Sequence, residues 1–324
     1  MEHRPVLAGA VVDLLLPALQ PTDRLGDRPK GNGGVFVDAT LGRGGHARRV
    51  LDAAPDVRLV GIDRDPDALE ESRAHLAAHA ERVTLVRDDF QELASVLERL
   101  GIEKVRGVLL DLGVSSPQLD AADRGFGYRN DGPLDMRMDP GQRLTARDVV
   151  NGYAEKDLAR VIARYGEERF AARVARAIVA ARPIERTGEL AEVVRDAIPA
   201  ATRRTGGHPA KRTFQAIRIE VNGEITRLRA VLPQTVDVLD TGGRVVVISY
   251  HSLEDRIVKR FFAEEARGCV CPPDFPVCAC GAEAALRVLG RRPVMPPEDE
   301  VADNPRARSA KLRAAERLDA ARAA

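Results

Sequence analysis

The sequence has almost no net charge, since 50 Lys and Arg residues face 49 Asp and Glu residues, for a net +1. No global attraction to nucleic acid is expected from such a balance. The sequence also lacks an apolar run near the roughly 20 residues that a membrane span requires. Its opening residues lack the basic segment and apolar core of a secretory signal. These absences predict a cytoplasmic protein. A charged share of 31% beside a hydrophobic share of 44% excludes wholesale disorder.

Cysteine is scarce and confined to one stretch, with all four residues inside residues 269–280. Four clustered thiols in a reducing compartment indicate a metal knuckle more than disulfides. The spacing is C-x-C twice, which is tighter than the C-x₂₋₄-C of well-attested zinc sites. Zinc binding and plain thiols in a Pro-rich loop therefore both stay open for Cys269, Cys271, Cys278 and Cys280. In either case we expect this cysteine loop to stabilise the local structure, and we expect no metal to take part in the reaction.

Short apolar runs alternate with helical patterns along the first third of the chain. The runs cover residues 35–38, 58–63, 83–86 and 107–111, and sheet character returns at residues 243–249. Strands separated by helices predict a mostly parallel α/β sheet wound with crossover connections.

The alternation stops near residue 121, where a turn-rich loop extends to about residue 140. Residues 145–198 then show helical spacing without a strand signal. An insertion between two strands of one sheet explains this pattern. The sequence thus predicts a core of residues 1–120 and 211–324 that carries an inserted helical domain of residues 121–210. Residues 141–220 hold 16 Lys and Arg against 10 Asp and Glu. This local excess is where a polyanion would bind.

A single amphipathic helix is expected over residues 211–232. Its apolar stripe comprises Phe214, Ile217, Val221, Ile225 and Leu228, and its polar side comprises Lys211, Arg212, Gln215, Arg218 and Asn222. The polar side is either solvated or faces a substrate.

Glycines mark the first strand-to-helix turn, in residues 42–47 (GRGGHA). Such a turn lets backbone N–H groups approach a ligand at the carboxyl edge of the sheet. Asp63 ends the second strand, where ribose hydroxyls are held in such folds. The glycine spacing also fits a loose dinucleotide fingerprint. However, Asp38 just before the turn would repel a pyrophosphate, which favours S-adenosylmethionine over a nicotinamide dinucleotide.

Two later segments fit an adenosine site and a reaction site. Phe90 follows the third strand beside two acids, and packs either against adenine or in the core. Asp111 ends the fourth strand and opens residues 111–118 (DLGVSSPQ). The Ser-Ser-Pro-Gln turn is similar to the Ser/Asp-Pro-Pro-aromatic turn of enzymes that methylate nucleic-acid amines. Ser116 is therefore a candidate catalytic residue, with helix capping as the alternative role.

The chain resembles the bacterial 16S rRNA cytosine-N4 methyltransferases, the MraW family. Matching stretches occur in order along nearly the whole chain. They are residues 42–46 (GRGGH), 62–66 (IDRDP), 109–118 (LLDLGVSSPQ), 131–139 (DGPLDMRMD), 165–169 (YGEER), 212–216 (RTFQA), 251–256 (HSLEDR) and 304–309 (NPRARS).

The resemblance implies a class I, Rossmann-like methyltransferase core with an inserted all-helical domain. It implies S-adenosylmethionine as cofactor and N4-methylation of cytosine 1402 in 16S rRNA of the small ribosomal subunit. The positions that match the family's cofactor-binding residues are Gly44, Gly45, His46, Asp63, Phe90, Asp111 and Gln118. Two features depart from the family pattern: Ala8-Gly9-Ala10 replaces a Leu and a Glu near the start, and the cysteine loop lies outside the signature.

Two other functions are weighed. A nicotinamide dehydrogenase would need an acid/base pair at the hydride site, and His251 is the one candidate. A non-catalytic ribosome-assembly factor that binds S-adenosylmethionine would leave the Ser-Ser-Pro-Gln turn without a role. For the enzyme, we expect the base to be flipped toward Asp111 and Ser116, with Phe126, Tyr128 or Tyr250 stacking on it.

Overall fold

The fold is described from a computed structural model. The structure describes residues 5–20, 34–114, 116–203, 208–268, 271, 280 and 283–319. For residues 116, 117, 201 and 203 it describes the backbone only. The chain divides into two compact units, Met1–Gly113 with Arg227–Ala324, and Val114–Thr226. Within the described ranges, no helix has the length and apolar character needed to cross a membrane.

The first unit is built on a seven-stranded sheet of order β3-β2-β1-β4-β5-β7-β6. The strands are β1 (Val35–Asp38), β2 (Arg58–Asp63), β3 (Val83–Arg87), β4 (Val105–Asp111), β5 (Leu239–Ser249), β6 (Leu286–Val294) and β7 (Lys311–Arg317). Strands β1 to β5 are parallel, whereas β7 runs antiparallel to both β5 and β6. The predicted mostly parallel α/β sheet is confirmed, and its topology is that of a class I methyltransferase.

Helices cover both faces of this sheet. They are α1 (Ala8–Leu19), α2 (Gly45–Ala53), α3 (Pro66–His75), α4 (Leu93–Arg99), α12 (Glu224–Val238), α13 (Ser252–Glu265) and α14 (Glu298–Asp303). Phe36 and Leu109 pack toward α1 and α2, while Val37 and Val108 pack toward α4, α12 and α13. Successive side chains of a strand point to opposite faces, so each buried strand contributes to two separate cores.

The second unit is helical and has its own core. Its helices are α5 (Ser116–Asp120), α6 (Ala146–Gly152), α7 (Glu155–Gly166), α8 (Ala171–Ala180), α9 (Thr187–Ala197), α10 (Ala200–Arg203) and α11 (Lys211–Asn222). Val149, Leu158, Val174, Leu190 and Ile217 are all fully buried in that core.

The helix expected over residues 211–232 is broken in the structure. It ends at Asn222, because Gly223 adopts a left-handed conformation with φ of 59°, and α12 then begins. Asn222 was expected on the polar side and is instead completely buried. Its side chain accepts a hydrogen bond from the backbone N–H of Met138 (2.9 Å) and donates to the carbonyl of Met136 (2.7 Å). The amide thus anchors the loop of residues 136–138 in the second unit.

Candidate active site

The turn after β1 places backbone N–H groups at the carboxyl edge of the sheet. Gly44 precedes α2 with φ of 75°, a conformation that glycine adopts without steric penalty. Gly45 is the first residue of α2, and a Cβ atom there would lie 2.8 Å from Pro5 Cγ. The unpaired N–H groups of the first turn of a helix favour a ligand with hydrogen-bond acceptors.

Asp63 ties this turn to the neighbouring strand. Its Oδ2 accepts a hydrogen bond from the N–H of Gly42 (2.7 Å), and its Oδ1 accepts one from the N–H of Asp65 (2.9 Å). Burial raises the pKa of the Asp63 carboxyl, against the lowering effect of these two bonds. Because each carboxylate oxygen has two lone pairs, each retains acceptor capacity for a ligand hydroxyl.

Asp38 is the most buried acid of the group, with a relative exposure of 1%. Its Oδ1 accepts a hydrogen bond from the N–H of Thr40 at 3.3 Å. Burial, together with the nearby Asp111 and Asp63, raises the pKa of this carboxyl to about 8, against the lowering effect of the Thr40 hydrogen bond. Three carboxyl groups therefore meet at the ends of β1, β2 and β4.

Asp111 is held by side chains from distant parts of the chain. Its Oδ1 accepts a hydrogen bond from the hydroxyl of Tyr250 (3.0 Å), and its Oδ2 lies 3.5 Å from Nδ1 of His46. Its backbone N–H donates to Oγ1 of Thr40 (2.6 Å). Burial and the adjacent Asp111 raise the pKa of Tyr250 well above its usual value, so the phenol stays a hydrogen-bond donor.

His46 is engaged by the protein on both ring nitrogens. Its Nε2 lies 2.8 Å from the carbonyl oxygen of Val6. A carbonyl can only accept, so Nε2 carries a proton and Nδ1 faces Asp111. The imidazole thus links Asp111 to the segment before α1, whose Leu7 N–H also donates to Glu300 (2.7 Å).

The segment of residues 251–256 explains how Tyr250 is positioned. His251 is the N-cap of α13, and Glu254 accepts hydrogen bonds from the N–H groups of Tyr250 (3.0 Å) and His251 (3.3 Å). Asp255 pairs with Arg313 of β7 (2.7 Å). This capping box fixes the backbone from which Tyr250 reaches Asp111. His251 therefore has a structural role as the N-cap of α13, and not the role of an acid/base at a hydride-transfer site.

Phe90 lies in a 3₁₀ turn, Phe90–Glu92, after β3. Its ring is half-buried and packs against one core of the first unit. The two preceding acids are occupied, because Asp88 pairs with Arg99 (2.5 Å) and Asp89 pairs with Arg227 (2.6 Å). A purely core role and a role against a ligand ring both remain compatible with this exposure.

Gln118 and Ser116 lie in α5, which belongs to the second unit. The side chain of Ser116 lies outside the described residues, so its catalytic role stays a prediction. Of the four cysteines, Cys269 and Cys278 also lie outside them, and the zinc alternative stays a prediction as well.

Two of the three rings that were expected to stack on the target base, those of Phe126 and Tyr128, pack against other side chains of the second unit. Phe126 is 4% exposed in its core, which leaves no ring face for a base. Tyr128 stacks on His208 at 4.4 Å between ring centroids and meets Phe214 edge-on. Sequence reasoning could not foresee this, because an aromatic residue in a Gly-rich loop looks exposed until its packing partners are known.

The first-unit group combines the N–H groups at the start of α2 with the carboxyl groups of Asp38, Asp63 and Asp111. This set suits a nucleoside ligand that carries positive charge, and does not suit a pyrophosphate, which the acids would repel. Together with the sheet order, it defines a class I, S-adenosylmethionine-dependent methyltransferase.

Comparison with known proteins gives the family. A family model described as the MraW methylase family matches residues 1–318. A protein from Heliobacterium modesticaldum is 51% identical over 321 residues, covering 98% of each chain. One from Thermobifida fusca is 53% identical over 318 residues, covering 97% of this chain and 93% of its own. Both are named ribosomal RNA small subunit methyltransferase H. The chain belongs to the MraW methylase family, and its cofactor is S-adenosylmethionine. The dehydrogenase alternative is thereby excluded.

Proposed function

We propose that this chain methylates N4 of cytosine 1402 in 16S rRNA of the small ribosomal subunit, in the cytoplasm. The names of its relatives support ribosomal RNA as the substrate. The observation that carries the proposal is the arrangement at three strand ends. There Asp63 holds the glycine turn, and Asp111 is fixed between Tyr250 and His46.

The residues of the first unit would hold the cofactor in distinct ways. Asp63 would bind the ribose hydroxyls with its remaining lone pairs, and the N–H groups around Gly44 and Gly45 would bind acceptors of the ligand. Phe90 would pack against adenine. Asp111 would receive positive charge of the ligand, its carboxylate kept in one orientation by Tyr250. When bound, S-adenosylmethionine supplies a methyl group on a sulfonium, which needs no metal for its transfer.

The target amine must be prepared for attack, because the lone pair of cytosine N4 is conjugated into the ring. Acceptors that bind the amine protons free this pair. Ser116 and Gln118, which follow Asp111 closely in the sequence, would supply such oxygens. Positioning and preorganised dipoles then account for most of the rate enhancement.

The second unit would bind the RNA. Arg164 lies over the ring of Tyr165 (5.4 Å) and Arg169 over that of Phe170 (4.7 Å). Neither guanidinium forms an ion pair with a carboxylate in the described part of the chain. Arginines that rest on aromatic rings and keep their charge uncompensated are suited to RNA phosphates and bases.

Labelled S-adenosylmethionine with small ribosomal subunits that lack the modification would test this function. We expect label in the nuclease fragment that contains cytosine 1402. Naked 16S rRNA in a parallel reaction shows whether the assembled subunit is required. Absence of label from both substrates, with cofactor binding demonstrated, would contradict the proposal.

A further inference from the structure

Asp38 is a buried acid to which the proposed reaction assigns no role. We propose that Asp38, at the end of β1 in the cofactor site, is protonated in the free protein and releases its proton when the cationic cofactor binds. The inference rests on the assignment of the cofactor site to the first unit. It concerns the ligand-binding step and not methyl transfer.

The surroundings of Asp38 offer nothing that would stabilise a negative charge. Its described hydrogen bond is the single one from the N–H of Thr40, at a long 3.3 Å. The charged groups that face it are Asp63 from β2 and Asp111 from β4, and both are acids. In the described part of the chain, no Lys, Arg or His side chain is paired with it. An isolated carboxylate with 1% exposure is unfavourable unless a counter-charge arrives.

The location of Asp38 makes a ligand the source of that counter-charge. It ends β1, six residues before Gly44, and its pairing neighbours in the sheet lead to Asp63 and Asp111. S-adenosylmethionine carries an ammonium and a sulfonium against one carboxylate, so its binding adds a net positive charge to this group of acids. The O–H bond of the Asp38 carboxyl then breaks, and its proton passes to the solvent buffer while the carboxylate stays beside the bound cation.

The direction and number of protons transferred on cofactor binding can be measured. In the free protein the pKa of Asp38 is about 8, and the bound cation lowers it. Proton release should therefore approach about one per binding event near pH 7 and disappear well above pH 8. Below about pH 7.5 the affinity should rise with pH, by up to about tenfold per unit. Above about pH 8 it should fall, because the α-ammonium of the ligand, with an ordinary pKa of about 7.7–8.0, loses its charge.

Isothermal titration of the full chain with S-adenosylmethionine, in buffers of different ionisation enthalpy, counts the protons released. The expected result for the wild type is a release near one at pH 7 that falls as the pH passes 8. Asp38→Asn cannot release this proton, and its affinity should be nearly independent of pH below about pH 7.5, where the α-ammonium of the ligand keeps its charge. Asp52→Asn removes an exposed carboxylate of α2 and should leave the proton count unchanged.

Binding without proton release between pH 6 and 7 in the wild type, where the α-ammonium of the ligand stays protonated, would overturn the inference, even if Asp38→Asn fails to fold. It would leave the methyltransferase function intact, which methyl transfer to RNA tests separately. Equal release by wild type and folded Asp38→Asn would also overturn it. Absence of any cofactor binding would overturn both the site assignment and the inference.

Discussion

At the scale of single residues, Asp63 makes the most specific contact in the site, because its carboxylate holds the N–H groups of both Gly42 and Asp65. Asp63→Ala removes the proposed ribose acceptor and the two hydrogen bonds that hold the turn. We expect it to weaken S-adenosylmethionine binding by about 1.5–3 kcal/mol, the scale of hydrogen bonds to a charged group. Calorimetry measures this loss, and Glu70→Ala, at an exposed position of α3, is the control. Unchanged affinity would refute the assigned role.

Asp38 should also make stability depend on pH. Its pKa is raised from 3.8 to about 8 in the folded chain, so between these values the folded state holds a proton that the unfolded state has lost. The free energy of unfolding therefore falls as pH rises, by up to about 1.4 kcal/mol per unit, and this loss stops above about pH 8. Urea unfolding of cofactor-free protein from pH 5 to 9 measures it. Asp38→Asn should lack this component, and parallel curves for the two proteins would contradict the expectation.

The sequence places Asp63 and Asp111 at strand ends because apolar runs and turn residues mark where strands stop. It does not show that His46 and Tyr250 hold Asp111. Tyr250 is separated from Asp111 by 139 positions, and its orientation depends on the α13 capping box and on the parallel pairing of β4 with β5. Such side-chain contacts follow from tertiary packing, which spacing along a sequence does not encode.

At the scale of elements, the junction between α11 and α12 departs most from the helical pattern. The apolar stripe from Phe214 to Leu228 continues through Gly223, so periodicity alone gives one helix. The break becomes clear only from the left-handed conformation of Gly223 and from Asn222, which serves the loop of residues 136–138. A polar residue on a helix is assigned to the solvent face unless its buried partners are known.

Asn222→Ala should therefore destabilise the second unit. It leaves the N–H of Met138 and the carbonyl of Met136 without their side-chain partner inside a buried region. We expect a loss of roughly 2–3 kcal/mol in the free energy of unfolding, since an unsatisfied buried group costs about 1–3 kcal/mol. Thermal or chemical denaturation measures this loss. Gln234→Ala, in α12 of the first unit, removes a half-buried amide of the same kind that bonds Ala94 and Gln91, and should cost less. An Asn222→Ala variant as stable as the wild type would contradict the anchoring role.

At the scale of the whole molecule, a near-neutral chain should bind RNA through the local charge of its second unit. The double variant Arg164→Gln/Arg169→Gln removes two uncompensated cations from the ring-supported positions. We expect weaker RNA binding, and a salt dependence of log K that is shallower by about 1.4–1.8, since each phosphate contact contributes about 0.7–0.9.

Arg147→Gln is the matched control for this pair. Arg147 already forms a two-bond ion pair with Glu185 (2.7 and 2.9 Å), so its charge is compensated within the protein. Filter binding or fluorescence anisotropy over a salt series distinguishes the variants. If the control reduces the salt slope as much as the double variant, the charge argument for these positions is wrong.

The division into a sheet and a helical insertion is visible in the sequence because periodicity changes from strands to helices near residue 121. The insertion predicted over residues 121–210 and the compact unit of Val114–Thr226 are both helical, and their limits differ by 7 and 16 residues. The count of charges in the sequence identifies the basic excess of residues 141–220. It does not distinguish Arg147, whose charge is paired with Glu185, from Arg164 and Arg169, which form no ion pair in the described part of the chain.

The proposed activity of this chain is the transfer of a methyl group to N4 of one cytosine of the small-subunit RNA. Mass spectrometry of nucleosides from small subunits treated with the protein and S-adenosylmethionine tests it most directly. We expect N4-methylcytidine in the fragment containing cytosine 1402, strongly reduced with Asp63→Ala. A methyl group on another atom or another nucleotide, or its absence from subunits that were competent for binding, would contradict the account.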